Sequence, residues 1–500
     1  MLAALALVSR AAGGMHNAAC LVEWRVAGHT GLSHLVHLQC RDGDPSCDAD
    51  GTVDGTCTFD AALCLNVPDR GLPGCVPGIL RSVHVRGRDT TAFARAALHD
   101  LAFPIATANV CTAEAPLRVR VGPRRRRTIA VRAWVRDTHS RRIGRARLRL
   151  TCEQNRAAST APAKAIVVTT DFETGLLATV GVTPPHTVDH FSTPIHSDAV
   201  VRTAGGLVYV VNRFLGDNVQ VLDPAHGFNT VAECSVGPGS NPHDLAVVNP
   251  HKAYVTRYGR PELWIVDPGV GTDCAGFFLG AIDLGRYAAA GNLPEMDQMA
   301  LVGDRLFVSL ERLDTALRFP AGKGLLVVID ITTDQVVSTI ELSGGNPFGE
   351  TAGLPREPGT GNLLVSEAGD IYRTGDGGIE RVDPFALRAE GFFITETDLG
   401  GNITDFVLLS PTKGYAVVED DSLHNILLAF DPQTRRVTRR LFVSQQYLPE
   451  IDLAPDQTLW LADRALPNPG IRIFDVTDDR ELTPTPIDVG LPPFAMAFLP

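Results

Sequence analysis

From about residue 165 onward, apolar positions come in short runs rich in β-branched and aromatic residues, each bounded by Asn, Asp, Pro or Gly. That pattern predicts strands joined by tight turns. Residues 241–268, NPHDLAVVNPHKAYVTRYGRPELWIVDP, show one unit: strands over 245–248, 253–256 and 263–266, the last ending in Asp267-Pro268. This third-strand ending recurs seven times, at Asp171, Asp223, Asp267, Asp330, Asp383, Asp431 and Asp475. The 304 residues from first to last make six intervals of about 51, a propeller-blade period. The second strand recurs at 208–211, 253–256, 306–309, 363–366, 415–418 and 459–462, and the first recurs behind Asp198, Asp244, Asp297, Asp405 and Glu450, with a degraded copy near Glu350. A seventh first strand, 493–499, is left over at the C-terminus, while the first copy starts only at its third strand, 165–169. Ends that complement each other within one blade close a ring and remove its sheet edges. The fold class expected is all-β: a seven-bladed β-propeller over 164–500, closed by the C-terminal strand and preceded by a small disulfide-rich β domain.

Two copies carry a nameable motif. Ala253-Tyr254-Val255-Thr256-Arg257 ahead of Val266-Asp267-Pro268, and Tyr209-Val210-Val211-Asn212, resemble the YVTN-repeat β-propellers, the YncE-like and surface-layer type common in bacteria. Arg257 stands where that family has Asn. The resemblance covers about 335 residues. It implies a fold more than a function, since such propellers mostly bind ligands of varied kinds. No Trp-Asp or Gly-His pair stands in register, which disfavours the WD40 type.

The first third differs in charge and cysteine content. The net charge of -12 divides into +9 over residues 1–160, with 22 Arg, 13 acids and no Lys, and -21 beyond, with 23 basic and 44 acidic residues. Cys20, Cys40, Cys47, Cys57, Cys64, Cys75, Cys111 and Cys152 precede the propeller, which holds Cys234 and Cys274. Dense, even-numbered Cys predicts a disulfide framework and an oxidising compartment: secreted, periplasmic or cell surface. Residues 1–19 read as a truncated signal segment, 20–155 as a Cys/Arg-rich β domain and 156–163 as a linker. Asn17-Ala18-Ala19-Cys20 partly matches a lipobox, which makes a lipoprotein the minority alternative to a structural cystine at Cys20. No apolar run approaches the ~18 residues that span a bilayer.

Two N-terminal features carry candidate chemistry. Asp48, Asp50 and Asp54 alternate with Gly51 and Gly55 as in calcium loops, where carboxylates converge on a hard cation. Phe59 occupies the twelfth position, where the pattern wants Glu, so an Asx-turn loop is the competing reading. Thirteen Arg lie between Arg118 and Arg149, and the alternation Arg145, Arg147, Arg149 gives one strand face of guanidinium. Such a face suits attachment to an anionic polymer; the plainer alternative is a solvated face with contacts to the acidic propeller. Export argues against nucleic acid.

In a propeller the loops leading into the innermost strands open on the same face as the loops between second and third strands. His196, Asp198, His243, Asp244, Glu295, Asp297, Glu350, Asp405, Glu450 and Asp452 hold those lead-in positions and should converge at the channel mouth. Converging carboxylates and imidazoles are ligand candidates for a divalent cation such as calcium. They serve equally as backbone caps, or as partners of Arg213, Arg257 or Arg464. The insertion 311–324 in the fourth blade should overhang the mouth as a specificity loop. No Gly-x-Ser-x-Gly, His-Glu-x-x-His or phosphate loop is present. The expected role is therefore binding or scaffolding by a monomer, toward a protein, glycan or small molecule. A metal-dependent, lactonase-like hydrolase is the alternative.

Overall fold

The computed structural model describes residues 21–26, 35–41, 56–66, 80–86, 110–111, 115–120, 126–137, 142–153 and 163–499, except 290–292, 315–318 and 350–352. The chain divides into two compact units, Met1–Ala158 and Ser159–Pro500. No helix among the described residues is long and apolar enough to cross a membrane.

The first unit contains two sheets. One pairs Thr56–Asn66 with Leu21–Val26, Val110–Cys111 and Ala115–Arg120. The other runs Leu35–Arg41, Arg142–Glu153, Arg126–Asp137, Leu80–Arg86. Strict alternation in the two long strands buries Ile129, Val131, Ala133, Ala146, Leu148 and Leu150 and leaves Arg132, Arg147 and Arg149 exposed. Cys57 and Cys152 form a disulfide between the two sheets. Cys40 is also disulfide-bonded, and the register sets Cys64 opposite Cys111. Phe59, the mismatched position of the calcium pattern, is a fully buried strand residue. Asp48, Asp50, Asp54, Cys20, Cys47, Cys75 and the signal-like segment lie outside the described residues.

The second unit is a seven-bladed propeller. Blade 2 runs outward as Ala199–Ala204, Leu207–Asn212, Asn218–Asp223, Asn229–Ser235, and blade 3 as Pro242–Asn249, Lys252–Arg257, Glu262–Val266, Phe278–Asp283. Blades 4, 6 and 7 begin at Met296–Val302, Asn402–Ser410 and Ile451–Leu453, and blade 5 shows three strands, Leu363–Glu367, Gly378–Asp383 and Arg388–Thr395. Second strands are buried on both sides because each is sandwiched between neighbouring blades. This is why they read as unbroken apolar runs, whereas outermost strands such as Gln335–Glu341 alternate.

Blade 1 corrects one sequence expectation. Its order is Pro493–Leu499, Lys164–Thr170, Gly175–Gly181, Val188–Ile195, so residues 165–169 form a second strand and not a third. The reason is local. At third-strand ends, Asp330 and Asp431 accept backbone N–H groups two and three residues on, building Asx-turns. Asp171 makes the same turn, accepting from Glu173 N and Thr174 N at 2.9 and 2.6 Å, but between strands two and three. The signature marks a turn type, and the turn occurs at two places in a blade. Shared-blade closure is as expected, with one C-terminal and three N-terminal strands.

The ring seam is held by more than strand pairing. Thr170 N donates to Pro492 O at 2.8 Å. The Arg464 guanidinium reaches the carbonyls of Thr170, Pro492 and Pro493 at 3.0–3.2 Å and stacks over Phe172. A disulfide between Cys234, on the rim of blade 2, and Cys274 in blade 3 staples two further blades.

Two second-strand tyrosines, Tyr254 of the motif and Tyr415, prove structural. The Tyr254 hydroxyl donates to Asp334 of blade 4, and the Tyr415 hydroxyl to Asp479 of blade 7 at 2.6 Å; Lys252 and Lys413 join the same carboxylates at 2.7 Å. Tyr, Lys and the next blade's turn Asp thus latch adjacent blades.

Deleting residues 492–500 should unfold or aggregate the propeller. Loss of buried Phe494 and Met496 alone costs about 3–6 kcal/mol, and two strand edges are exposed. A truncated protein whose melting matches the full chain would refute the seam's role.

Candidate functional site

On the mouth face, backbone hydrogen bonds tie several lead-ins to the second strand of their own blade or to the loop that follows it. They include Arg213 N to Asp198 O, 2.8 Å; Tyr258 N to Asn241 O, 3.1 Å; Glu311 N to Glu295 O, 3.0 Å; and Ala462 N to Glu450 O, 2.9 Å. The lead-in side chains therefore start from a fixed frame.

Four of the eight acidic candidates hold the next blade. Asp244 accepts from Arg202 Nε and from Met299 N of blade 4, both at 2.8 Å. Asp297 accepts from Gly349 N at 2.8 Å, and Asp405 from Ile451 N of blade 7 at 2.7 Å. Glu450 accepts from Met496 N of the closing strand, and Glu295 from Leu313 N of the fourth-blade loop. Asp452 accepts from Leu453 N. Asp198 pairs with Arg213 at 2.6 Å, and His196 Nδ1 lies 3.1 Å from Asp198 N. Arg257 and Arg464 engage other groups: Arg257 bonds Val236 O and Glu262. Glu350 lies outside the described residues. Burial pushes the Asp244 carboxyl above its ordinary range and Asp452 to about 6; Glu450 rises well above through burial and the nearby charges of Asp405 and Asp452.

Two of the predicted residues do meet. His243 Nδ1 lies 2.9 Å from Asp297 Oδ1, and its Nε2 lies 3.1 Å from Asn241 Nδ2. That network assigns the ring proton to Nδ1. The imidazole stacks on Tyr258 at 4.3 Å and 12°, and Tyr258 Oη donates to Glu311 Oε2 at 2.9 Å. One ligand atom each of His243, Asp297 and Glu311 lies within 4.8 Å of the others. Imidazole and two carboxylates could hold a divalent cation. As placed, His243 and Asp297 bond each other and Glu311 bonds Tyr258. Burial and the charges of Glu311 and Glu295 push the Tyr258 hydroxyl up, so it remains a donor and not a nucleophile. Sequence reasoning missed Tyr258 and Glu311, although Glu311 opens the insertion 311–324.

It also missed the rim. Six of the seven second-to-third-strand loops carry large apolar side chains exposed on the mouth face: Phe172, Phe214 with Leu215, Phe319, Ile371 with Tyr372, Leu423, and Leu466. Tyr372 is 76% exposed, Leu215 75%, Leu466 72% and Leu423 69%. Isolated exposed apolar residues need no explanation, but a set on one face does. The loops are braced against each other. Phe319 meets Tyr372 edge-on at 6.2 Å, Thr374 Oγ1 donates to Asp421 at 2.9 Å, and Asp217 accepts from Gly239 N, Ser240 Oγ and Asn241 N. The available signal was apolar residues inside turn-forming segments, such as Leu423 in Asp420-Asp421-Ser422-Leu423-His424.

No protein-family model matches the chain, and no curated protein matches it. Among solved structures it is similar to a protein of Bacteroides fragilis provisionally named a 6-phosphogluconolactonase, with 13% identity, 69% of this chain and 100% of that one covered, and a TM-score of 0.46. It is also similar to a protein of unknown function from Desulfotomaculum acetoxidans (11% identity, 67% and 98%, TM-score 0.45) and to apo AztD of Citrobacter koseri (15%, 74% and 94%, TM-score 0.37).

Blade 5 supplies a pH prediction. Glu367 and Glu380, on its second and third strands, are both fully buried; burial first, then the hydrogen bond to Glu380 and its charge, push Glu367 to about 9 from an ordinary 4.5. A raised pKa means that the fold favours the protonated form. That contribution is complete below pH 4.5 and is lost as pH rises toward 9. Glu367→Gln, which keeps a donor and an acceptor, should gain on the parent protein by up to about 1.4 kcal/mol per pH unit across that window. Urea unfolding at pH 5, 7 and 9 checks this; parallel pH profiles for the two proteins would refute it.

Proposed function

We propose that this is an exported, non-catalytic recognition protein of the YVTN type, which docks a protein partner on the mouth face of its propeller. The observation that carries the reading is the apolar rim. Side chains distributed over six loops around a ring are too widely spread to serve one small ligand, and braced loops lower the ordering cost of binding. Exposed Phe, Tyr and Leu around a polar centre have the composition of a protein interface. The disulfides Cys57–Cys152 and Cys234–Cys274 support export to an oxidising compartment.

A second reading, a cation-dependent hydrolase of lactonase type, draws on His243, Asp297 and Glu311. It is the weaker of the two because Asp297 is already engaged by His243 and Gly349 N, and no activated nucleophile accompanies the cluster among the described residues. A calcium ion there would raise the melting temperature by simple linkage.

A photo-crosslinking residue at Tyr372 should give one dominant protein adduct in producing cells. The same residue at Val337, on an outermost strand, should not. Adding Leu423→Ser and Leu466→Ser should reduce the adduct at least tenfold. Equal labelling from both positions, or adducts with the protein itself only, would overturn the reading.

A further inference from the structure

The arginine-bearing sheet of the first unit has an unusual charge inventory. Its four strands, Leu35–Arg41, Arg142–Glu153, Arg126–Asp137 and Leu80–Arg86, hold eleven Arg against two acids, Asp137 and Glu153, both at strand ends. Arg132, Arg147 and Arg149 stand on the exposed face, opposite the buried side that carries Val131, Ala146, Leu148 and Leu150. Arg147 pairs directly with Arg132 across the strands, and Arg149 is two residues along on the same face. The register continues the row to Arg86 on the next strand and sets His37 beside Arg149. Among the described residues, no hydrogen bond or ion pair engages the guanidinium groups of Arg132, Arg147 or Arg149.

Like charges directly opposite on a sheet destabilise it, and among the described residues no acidic partner offsets the repulsion. An outside anion would. The cations repeat at the strand spacing of about 4.8 Å in one direction and at about 6.7 Å, two residues, in the other. A face with that lattice fits a linear polymer bearing one anionic group per unit, because successive groups can each take a guanidinium bidentately. The disulfide Cys57–Cys152 in the same unit supports an oxidising, extracytoplasmic setting for this face. Polymers bearing one carboxylate or sulfate per sugar supply such anions there.

We infer that the Arg132/Arg147/Arg149 face binds an anionic polysaccharide and so anchors the protein to a carboxylated or sulfated glycan. This site is independent of the propeller mouth.

The test uses the full chain, with polygalacturonate as the carboxylated probe and heparin as the sulfated one; their comparison tells which anion is preferred. Binding to at least one is expected, weakening steeply with salt as counterions are released. Arg132→Gln/Arg147→Gln/Arg149→Gln should lower affinity at least tenfold in low salt and flatten the salt dependence, with the melting temperature unchanged or raised, because all three side chains are exposed and their mutual repulsion is relieved. A charge-matched control on the sixth blade, Arg435→Gln/Arg436→Gln/Arg440→Gln, also exposed, should bind as the parent does. The inference is overturned if neither glycan binds. It is equally overturned if the control loses binding and the sheet variant does not, if duplex DNA or anionic lipid vesicles bind more tightly than both glycans, or if the sheet variant melts markedly lower, which would mean that the face is covered by the protein's own acidic surface.

Discussion

The propeller depends on a carboxylate reaching from one blade to a backbone amide of the next. Asp244 to Met299, Asp297 to Gly349, Asp405 to Ile451 and Glu450 to Met496 are four instances around one axis. Innermost strands need such links because register shifts near their mouth ends leave N–H groups of buried residues such as Met299 and Met496 in need of another acceptor. An unsatisfied amide there would cost about 1–3 kcal/mol. A carboxylate offers two acceptors, so it can cap its own strand and hold the neighbour at once, as Asp244 and Asp405 do. The other face is joined by Tyr254 and Tyr415 with their Asp partners. Blades 3 and 4, and blades 6 and 7, are therefore pinned together above and below.

This explains both what the sequence disclosed and what it concealed. Period, blade number and shared-blade closure were legible because buried second strands and Asx-turn aspartates repeat as local patterns. The second-strand identity of 165–169 was not, because Asp171 builds the same turn at another corner of the blade. The lead-in acids were easy to find, yet their use was not. A carboxylate that caps a neighbouring amide and one that awaits a ligand look alike in sequence, and only Asp297 with His243 joined a cluster with Glu311. The rim was least legible. Phe214, Tyr372 and Leu423 sit on loops of unequal length, so no periodicity links them, and an apolar residue in a turn segment usually means local packing.

The two units divide their surfaces by charge and by polarity. The first presents guanidinium groups on an otherwise ordinary β-sheet, where alternation alone separates core from surface. The second is acidic overall, but many of its buried acids are spent internally, so the mouth face is defined less by charge than by exposed apolar tips.

The seam in blade 1 has a consequence for how the chain is made. Thr203 Oγ1 donates to Phe498 O across 295 residues of sequence, and Lys164–Thr170 waits for Pro493–Leu499 as its inner neighbour. Contacts so distant form late, after their loop-closure entropy is met. A nascent chain must therefore carry an unpaired strand edge from the time residues 164–170 are made until residues 493–499 follow. The Cys234–Cys274 bond, formed between blades already adjacent in sequence, can hold part of the arc in register before the ring closes.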